Sequence, residues 1–408
     1  MTASAGTRDY LVVTGAYVGF TLSDGALRML VLLHFAAAGM SALAIAALFV
    51  LYEAAGIFAN LAGGWLGARF GLPRLLVGGL TLQIGGLLAL SALPAEIGPG
   101  WSIAWVAAAQ GLCGLAKDLA KTAGKTAVGA SAGSAPGRLL RLVAWFTGAK
   151  NAAKGAGFFL GAALLEAVGF APGLWILAAM LALPLALASV GLPPLLGKSR
   201  AARSVKALLS RDAAVNRLAA ARVFLFAARD AWFVIGLPVH LQTAGWSMAA
   251  IGAWLAAWTI GYGAAQAAAP AFVPRSAGGL AREVPAARLL AAAIAVVPAA
   301  MAAALAAGVA ADGVLAVGLV VFGFALAANS AVHSYLILAY AGREAASEDV
   351  GFYYAANAAG RLGGIVLSGV LTALGGVAAC LWGSAALLVV CAALTLGLPA
   401  ARVGRAGA

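Results

Sequence analysis

FTLSDGALRMLVLLHFAAAGMS (residues 20–41) returns in outline as FAARDAWFVIGLPVHLQTAGWS (residues 226–247). Phe20, Asp24, His34, Gly39 and Ser41 are matched by Phe226, Asp230, His240, Gly245 and Ser247, each 206 positions later. The same offset carries Asn151-Ala-Ala and Gly157 onto Asn357-Ala-Ala and Gly363. One spacing at two distant places marks an internal repeat, and the repeated unit is long and apolar.

The whole chain shares that character. Of its 408 residues, 64% are hydrophobic and 10% charged, with a mean hydropathy of +1.00, far from the mix of an ordinary soluble domain. A run of about 20 apolar residues crosses a hydrocarbon layer of about 30 Å. Twelve such spans are predicted, near 10–36, 43–67, 75–94, 101–123, 142–164, 172–192, 216–241, 248–272, 287–308, 313–340, 350–372 and 378–400. The chain reads as an all-α integral membrane protein, multi-pass in the lipid bilayer, with its first run kept as a helix and not cleaved as a signal peptide. Cys113, Cys380 and Cys391 lie singly inside apolar runs and read as small packing residues.

A net charge of +13 invites a nucleic-acid reading, which the placement of the charges excludes. Eighteen of the 26 Lys and Arg, among them Arg69, Arg74, Lys125, Arg138, Arg200 and Arg288, fall at one set of span ends, and the loops at the opposite ends have none. That asymmetry is the positive-inside pattern of a cell (cytoplasmic) membrane protein with both termini cytoplasmic.

With six spans per repeat, both halves keep the same orientation, the parallel-repeat arrangement of the major facilitator fold. The expected organisation is an N-terminal six-helix bundle (1–192), a basic central cytoplasmic loop (193–215) opened by Pro193-Pro194, and a C-terminal six-helix bundle (216–408). GGWLGARFGLPR (63–74) resembles the superfamily's loop between its second and third helices, with Gly64, Arg69 and Gly71 in place and Ala68 where an acidic residue is usual. It reads as a gating loop.

Eight cations remain inside spans: Arg28, Lys117, Lys121, Lys150, Lys154, Arg222, Arg229 and Arg361. Asp24, Glu53, Asp118 and Asp230 lie at comparable depths, for proton coupling or ion pairing. A charge at mid-bilayer costs about 2.5–3.5 kcal/mol on insertion scales, so such groups face protein or a wet cavity. All twelve fall on spans 1, 2, 4, 5, 7 and 11, and none on spans 3, 6, 9 and 12, the outer scaffold of the fold. A charged central cavity is the expectation.

Helical spacing adds neighbours to this set. Asp24 shares a face with Arg28, Lys150 with Lys154, Arg222 with Arg229, Arg361 with Asn357 and Tyr354, and Asn329 with His333. Asp24–Arg28, Asp118 with Lys117 or Lys121, and Arg229–Asp230 are expected ion pairs. Four cations are then in surplus, and an uncompensated buried charge is costly, so a bound polyanion is the natural partner. At about 1.5 Å per residue, Lys150, Arg229 and Arg361 reach the midplane and form the expected anion clamp. Lys154, Arg28, Arg222 and Lys117 stand along the route. Asn151, Asn357, Asn329, Gln266, Tyr353 and Tyr354 are candidates to hydrogen-bond substrate, with His333 and His240 weaker ones. Lys121 is expected either to snorkel to the cytoplasmic interface or to act in the route.

No catalytic, metal or cofactor constellation is present in the sequence, since no HExxH, GxSxG, Walker loop or thiol cluster occurs. A transporter for another organic phosphate or phosphoglycerate, or a non-transporting membrane sensor, uses the same scaffold. A sensor would more usually carry a sizeable soluble domain.

Several long stretches resemble one family: VTGAYVGFTLSDGALRMLVLLHF (13–35), GLAKDLAKTAGKTA (114–127), GAKNAAKGAGFFLG (148–161), AARVFLFAARDAWFVIGLPVHL (220–241), NSAVHSYLILAYA (329–341) and DVGFYYAANAAGRLGG (349–364). They are similar to the organoarsenical efflux permeases (ArsJ family) of the major facilitator superfamily. The resemblance implies efflux of 1-arseno-3-phosphoglycerate, arsenate resistance, glyceraldehyde-3-phosphate dehydrogenase as the functional partner that makes the substrate, and a monomer. It assigns no individual contacts.

Overall fold

A computed structural model describes residues 3–94, 98–131, 138–193, 212–272, 280–340 and 346–400. Its helices are α1 (Ala3–Ala37), α2 (Ala42–Phe70), α3 (Leu72–Ser91), α4 (Pro99–Ser131), α5 (Arg138–Val168) and α6 (Phe170–Gly191), then α7 (Ala213–Phe233), α8 (Gly236–Thr243), α9 (Met248–Phe272), α10 (Glu283–Ala306), α11 (Ala311–Tyr340) and α12 (Ala346–Leu396). Among the described residues no strand occurs. Helix is what a lipid-facing chain requires, because each backbone N–H finds its acceptor within the same segment. Most of the expected central loop, with Lys198, Arg200, Arg203, Lys206 and Arg211, lies outside the described residues.

The helices map onto twelve spans with two local surprises. α7 and α8 together fill the seventh span, broken at Val234 and Ile235. Pro238 lacks an N–H, and its ring meets the carbonyl four residues earlier, so the helix stops and restarts. α12 covers the last two spans, which part at Gly375 and Gly376, the latter at φ +62°. The stretch expected as a gating loop is also different. α2 runs through Gly64 and Arg69 to Phe70, and only Gly71, at φ +81°, separates it from α3.

Eight helices meet the length and apolarity of a membrane span among the described residues. α4, α5 and α7 fall short of that apolarity although each has more than 20 residues. They carry Lys117, Asp118 and Lys121, Lys150 and Lys154, and Arg222, Arg229 and Asp230 respectively. These charges lower the mean hydropathy of the three helices.

By proximity the chain groups into two compact units, residues 1–206 with 238–263, and residues 207–237 with 264–408. In the first, α1 packs on α5, α6 and α4, α2 on α4, and α3 on α4 and α6. The 248–263 part of α9 lies against α5, where Gly252 sits beside Ala162 and Phe158. In the second, α12 packs on α7 and α10, and α10 on α11. Cys113, Cys380 and Cys391 are all free and buried.

The repeat is visible in how helices cross. On α5, Gly157 and Gly161 lie against the backbone of Leu22 and Ala26 of α1. On α12, Gly360 and Gly364 lie against Val223 and Ala227 of α7. Lipid supplies little hydrophobic drive between helices, so close backbone approach through small residues holds such crossings together.

Replacing Gly161 by Ala drives a Cβ onto the carbonyl oxygen of Ala26. The expected cost is about 1–3 kcal/mol, measured by thermal unfolding of the detergent-purified protein. Gly85 faces open space, and Gly85→Ala leaves the transition within error or slightly higher.

Candidate functional site

Two buried polar clusters account for most of the intramembrane charges, one in each unit. In the first unit, the guanidinium of Arg28 on α1 donates to Glu53 of α2 at 2.6 Å. Lys117 of α4 reaches the other Glu53 oxygen at 3.7 Å and Asp118 at 4.0 Å. Lys121, one turn further, donates to Asp118 at 2.7 Å and to Asn60 at 2.6 Å, and Asn60 also donates to Asp118 at 3.0 Å. Glu53 is fully buried and Asp118 almost so.

Tyr52 organises the same network from its centre. Its hydroxyl donates to Asp24, while its ring face meets the Lys117 ammonium at 3.8 Å and the Arg28 guanidinium at 5.3 Å. Such contacts stabilise a desolvated cation by up to about 2 kcal/mol. Three cations (Arg28, Lys117, Lys121) and three carboxylates (Asp24, Glu53, Asp118) make the network neutral as a whole. The other five cations of the set are on α5, α7 and α12, where Arg229 has Asp230 beside it.

This arrangement revises the pairing read from helical spacing. Arg28 was expected to pair with Asp24 one turn away, but its strong bond is to Glu53 on another helix, and Asp24 takes the Tyr52 hydroxyl. Both alternatives for Asp118 are realised, with Lys121 the nearer. Lys121 is held by Asp118 and Asn60, which draws its ammonium into the network.

In the second unit, Arg222 of α7 is the centre, with 4% of its surface exposed. Its Nε donates to Asn357 of α12 at 2.7 Å, one terminal nitrogen to the Ser330 hydroxyl of α11 at 2.8 Å, and the other lies 3.4 Å from the Ser330 carbonyl. Gln266 of α9 donates to the same hydroxyl at 3.3 Å. The guanidinium stands 4.4 Å from the Phe226 ring centre and 5.2 Å from that of Tyr353. Among the described residues no carboxylate lies within ion-pair distance of it. Neutral acceptors and aromatic faces fix the side chain without cancelling its charge.

Asn329 and His333, one helical turn apart on α11, are fully buried. Neither the Asn329 amide nor either ring nitrogen of His333 has a hydrogen-bond partner. Tyr354 is half-buried and packs edge-on against Tyr353.

Of the residues expected as a midplane clamp, Arg229 and Arg361 belong to the second unit and Lys150 to the first. Arg229 donates to the neighbouring Asp230 at 2.6 Å, the expected pair, and lies 4.7 Å from the Phe226 ring. Arg361 is half-buried on α12 in the second unit, and Lys150 half-buried on α5 in the first. Lys154 is also half-buried on α5, its ammonium 5.6 Å from the Phe158 ring. Asn151 is buried against Gly263 of α9. His240 is half-buried on α8, and Arg69 is exposed beside Phe70.

Spacing alone passed over three residues. Tyr52 was hidden beside Glu53, Asn60 stands seven positions after Glu53 on the same face of α2, and Ser330 adjoins Asn329 in an otherwise apolar stretch. Among the described residues no group of three or more His, Cys, Asp or Glu is placed to hold a metal ion.

No protein-family model matches the chain, and no curated protein matches it. Solved structures do. The chain is similar to a bacterial homologue of the iron transporter ferroportin in an inward-facing state, with a TM-score of 0.69 and 16% identity over 97% of this chain and 98% of that one. It is similar to a D-xylose–proton symporter, with a TM-score of 0.72 and 14% identity over 98% and 99%. A POT family transporter in complex with 5-aminolevulinic acid gives 0.70 and 15% over 95% of each chain. At these identities the likeness is one of fold, and the fold is that of the major facilitator transporters.

Glu53→Ala leaves Arg28 and Lys117 without their shared carboxylate and should destabilise the protein by about 3–5 kcal/mol. In the double variant Arg28→Met with Glu53→Leu most of that loss is recovered, because both buried charges are removed together. Thermal unfolding of the purified variants measures both effects.

Proposed function

We propose that this chain is a transporter of the cytoplasmic membrane that exports an organic polyanion by alternating access, and that the anion is 1-arseno-3-phosphoglycerate. The observation that carries the reading is Arg222, a buried guanidinium fixed by neutral groups with no carboxylate to cancel it among the described residues. An oxyanion supplies what that site lacks, since a guanidinium offers paired donors that match phosphate and arsenate geometry. Intramembrane cations outnumber intramembrane carboxylates in the sequence, which suits a substrate carrying about three negative charges, one arsenate and one phosphate group.

Fold and resemblance support the same reading from separate directions. The fold is one used by transporters, and the long stretches quoted above resemble organoarsenical efflux permeases. On this reading, glyceraldehyde-3-phosphate dehydrogenase makes the substrate inside the cell, and the unstable acyl arsenate breaks down outside, conferring arsenate resistance. The basic span ends place both termini in the cytoplasm, and the protein works as a monomer. An inside-negative potential favours outward movement of anions by about 2.3 kcal/mol per charge per 100 mV. Uniport is then sufficient for export, while the buried carboxylates allow proton coupling.

Expression in an arsenate-sensitive host, with and without a glyceraldehyde-3-phosphate dehydrogenase, tests the proposal through cellular arsenic. Arsenic falls only when both proteins are present. Arg222→Gln abolishes the effect with normal membrane insertion, and Arg222→Lys retains a fraction of it. Arsenite resistance, or no change with both proteins present, overturns the arsenical reading. Export of phosphoglycerate in that case points to another organic phosphate.

A further inference from the structure

Asn329 and His333 have no role in holding the second unit together that their surroundings reveal. Both are fully buried, both lack hydrogen-bond partners on every polar side-chain atom, and they lie one turn apart on α11, with Ser330 one turn before His333. Ser330 is the residue that Arg222 grips, so the two orphaned side chains adjoin the charged centre. Native interiors satisfy the great majority of buried polar groups, and four such atoms together beside an uncompensated cation need an explanation.

Their chemistry is specific. An Asn amide offers both donors and acceptors, and an imidazole in its neutral form has one N–H and one lone pair. Together they complement a group that gives one hydrogen bond and receives another. A hydroxyl does so, whereas a fully ionised oxyanion only accepts and a methylene does neither.

We propose that Asn329 and His333 recognise a hydroxyl on the anion that Arg222 binds, so that the protein selects hydroxylated organic phosphates over their deoxy counterparts. The inference rests on the anion-transport reading above and deepens it, because a glycerate backbone carries such a hydroxyl. Selectivity follows from desolvation. The cost of removing the amide and imidazole from water is met in folding, so a hydroxyl arriving between them gains bonds without stripping those groups of solvent again. Gln266, bonded to Ser330, is half-buried and so more exposed than Asn329, Ser330 and His333.

The test compares two probes on the full, detergent-purified chain by titration calorimetry. These are 3-phosphoglycerate and 3-(phosphonooxy)propanoate, its 2-deoxy counterpart, which share a phosphate ester and a carboxylate and differ by the hydroxyl. Wild type is expected to bind the hydroxylated probe about 10–100-fold more tightly. Asn329→Leu and His333→Phe each bring that ratio towards one, mainly by weakening phosphoglycerate, and His333→Gln restores part of it. Neither apolar variant lowers the unfolding temperature, because each replaces a partnerless buried polar group by hydrocarbon. Equal binding of the two probes by wild type overturns hydroxyl recognition and leaves anion transport standing. An unchanged ratio in the variants, or a lowered unfolding temperature with the ratio kept, assigns the pair a structural role and also overturns it. Binding of neither probe by wild type removes the anion reading along with this one.

Discussion

A charge inside a membrane-spanning helix bundle must meet an opposite charge, a set of dipoles or a ligand, because no bulk water is there to solvate it. That constraint organises the first unit. Arg28, Glu53, Lys117, Asp118 and Lys121 come from three helices and are joined by bonds of 2.6–4.0 Å. Tyr52 and Asn60 complete the network with dipoles and a ring face. Electrostatic neutrality there depends on the packing of α2 on α4 and of α1 on α4, so helix packing and charge pairing stabilise the same geometry.

The second unit meets the constraint differently. Its carboxylate Asp230 stands at the repeat position of Asp24, and Asn357 at that of Asn151. The cations do not repeat. Arg28 corresponds to Val234, while Arg222 and Arg229 correspond to Ala16 and Ser23. Two copies of one scaffold therefore hold different charge patterns, a neutral network in one and a cation among neutral partners in the other. The asymmetry sets an ion network in one unit against a guanidinium held by neutral groups in the other.

Much of the architecture was legible from a few residues. The 206-residue offset, the apolar spans and the basic span ends indicated two repeats of six helices. Gly39 and Gly245, repeat partners, both adopt the positive φ that turns the chain between helices, and Gly376 does so inside the last helix pair. The seventh span was read as unbroken and α2 as ending a few residues before Phe70, since apolar runs locate a span but not its exact end or an interruption within it.

Residue type and helical period also pointed to Asp24, Arg28, Glu53, Asp118, Arg222 and Asp230, all buried, though not to Asp9 or Glu283, and they foresaw Arg229 with Asp230 and Lys121 with Asp118. Those pairs lie one or three positions apart, within reach of a rule based on a single helix. Arg28 with Glu53, Tyr52 with Asp24, and Arg222 with Asn357 and Ser330 are 25, 28, 135 and 108 positions apart. The sequence alone determined that an excess of positive charge lies within the membrane. Tertiary structure decided which carboxylates meet Arg28, Lys117 and Lys121 and that neutral groups hold Arg222, because pairing between helices depends on rotation and depth that no single helix encodes.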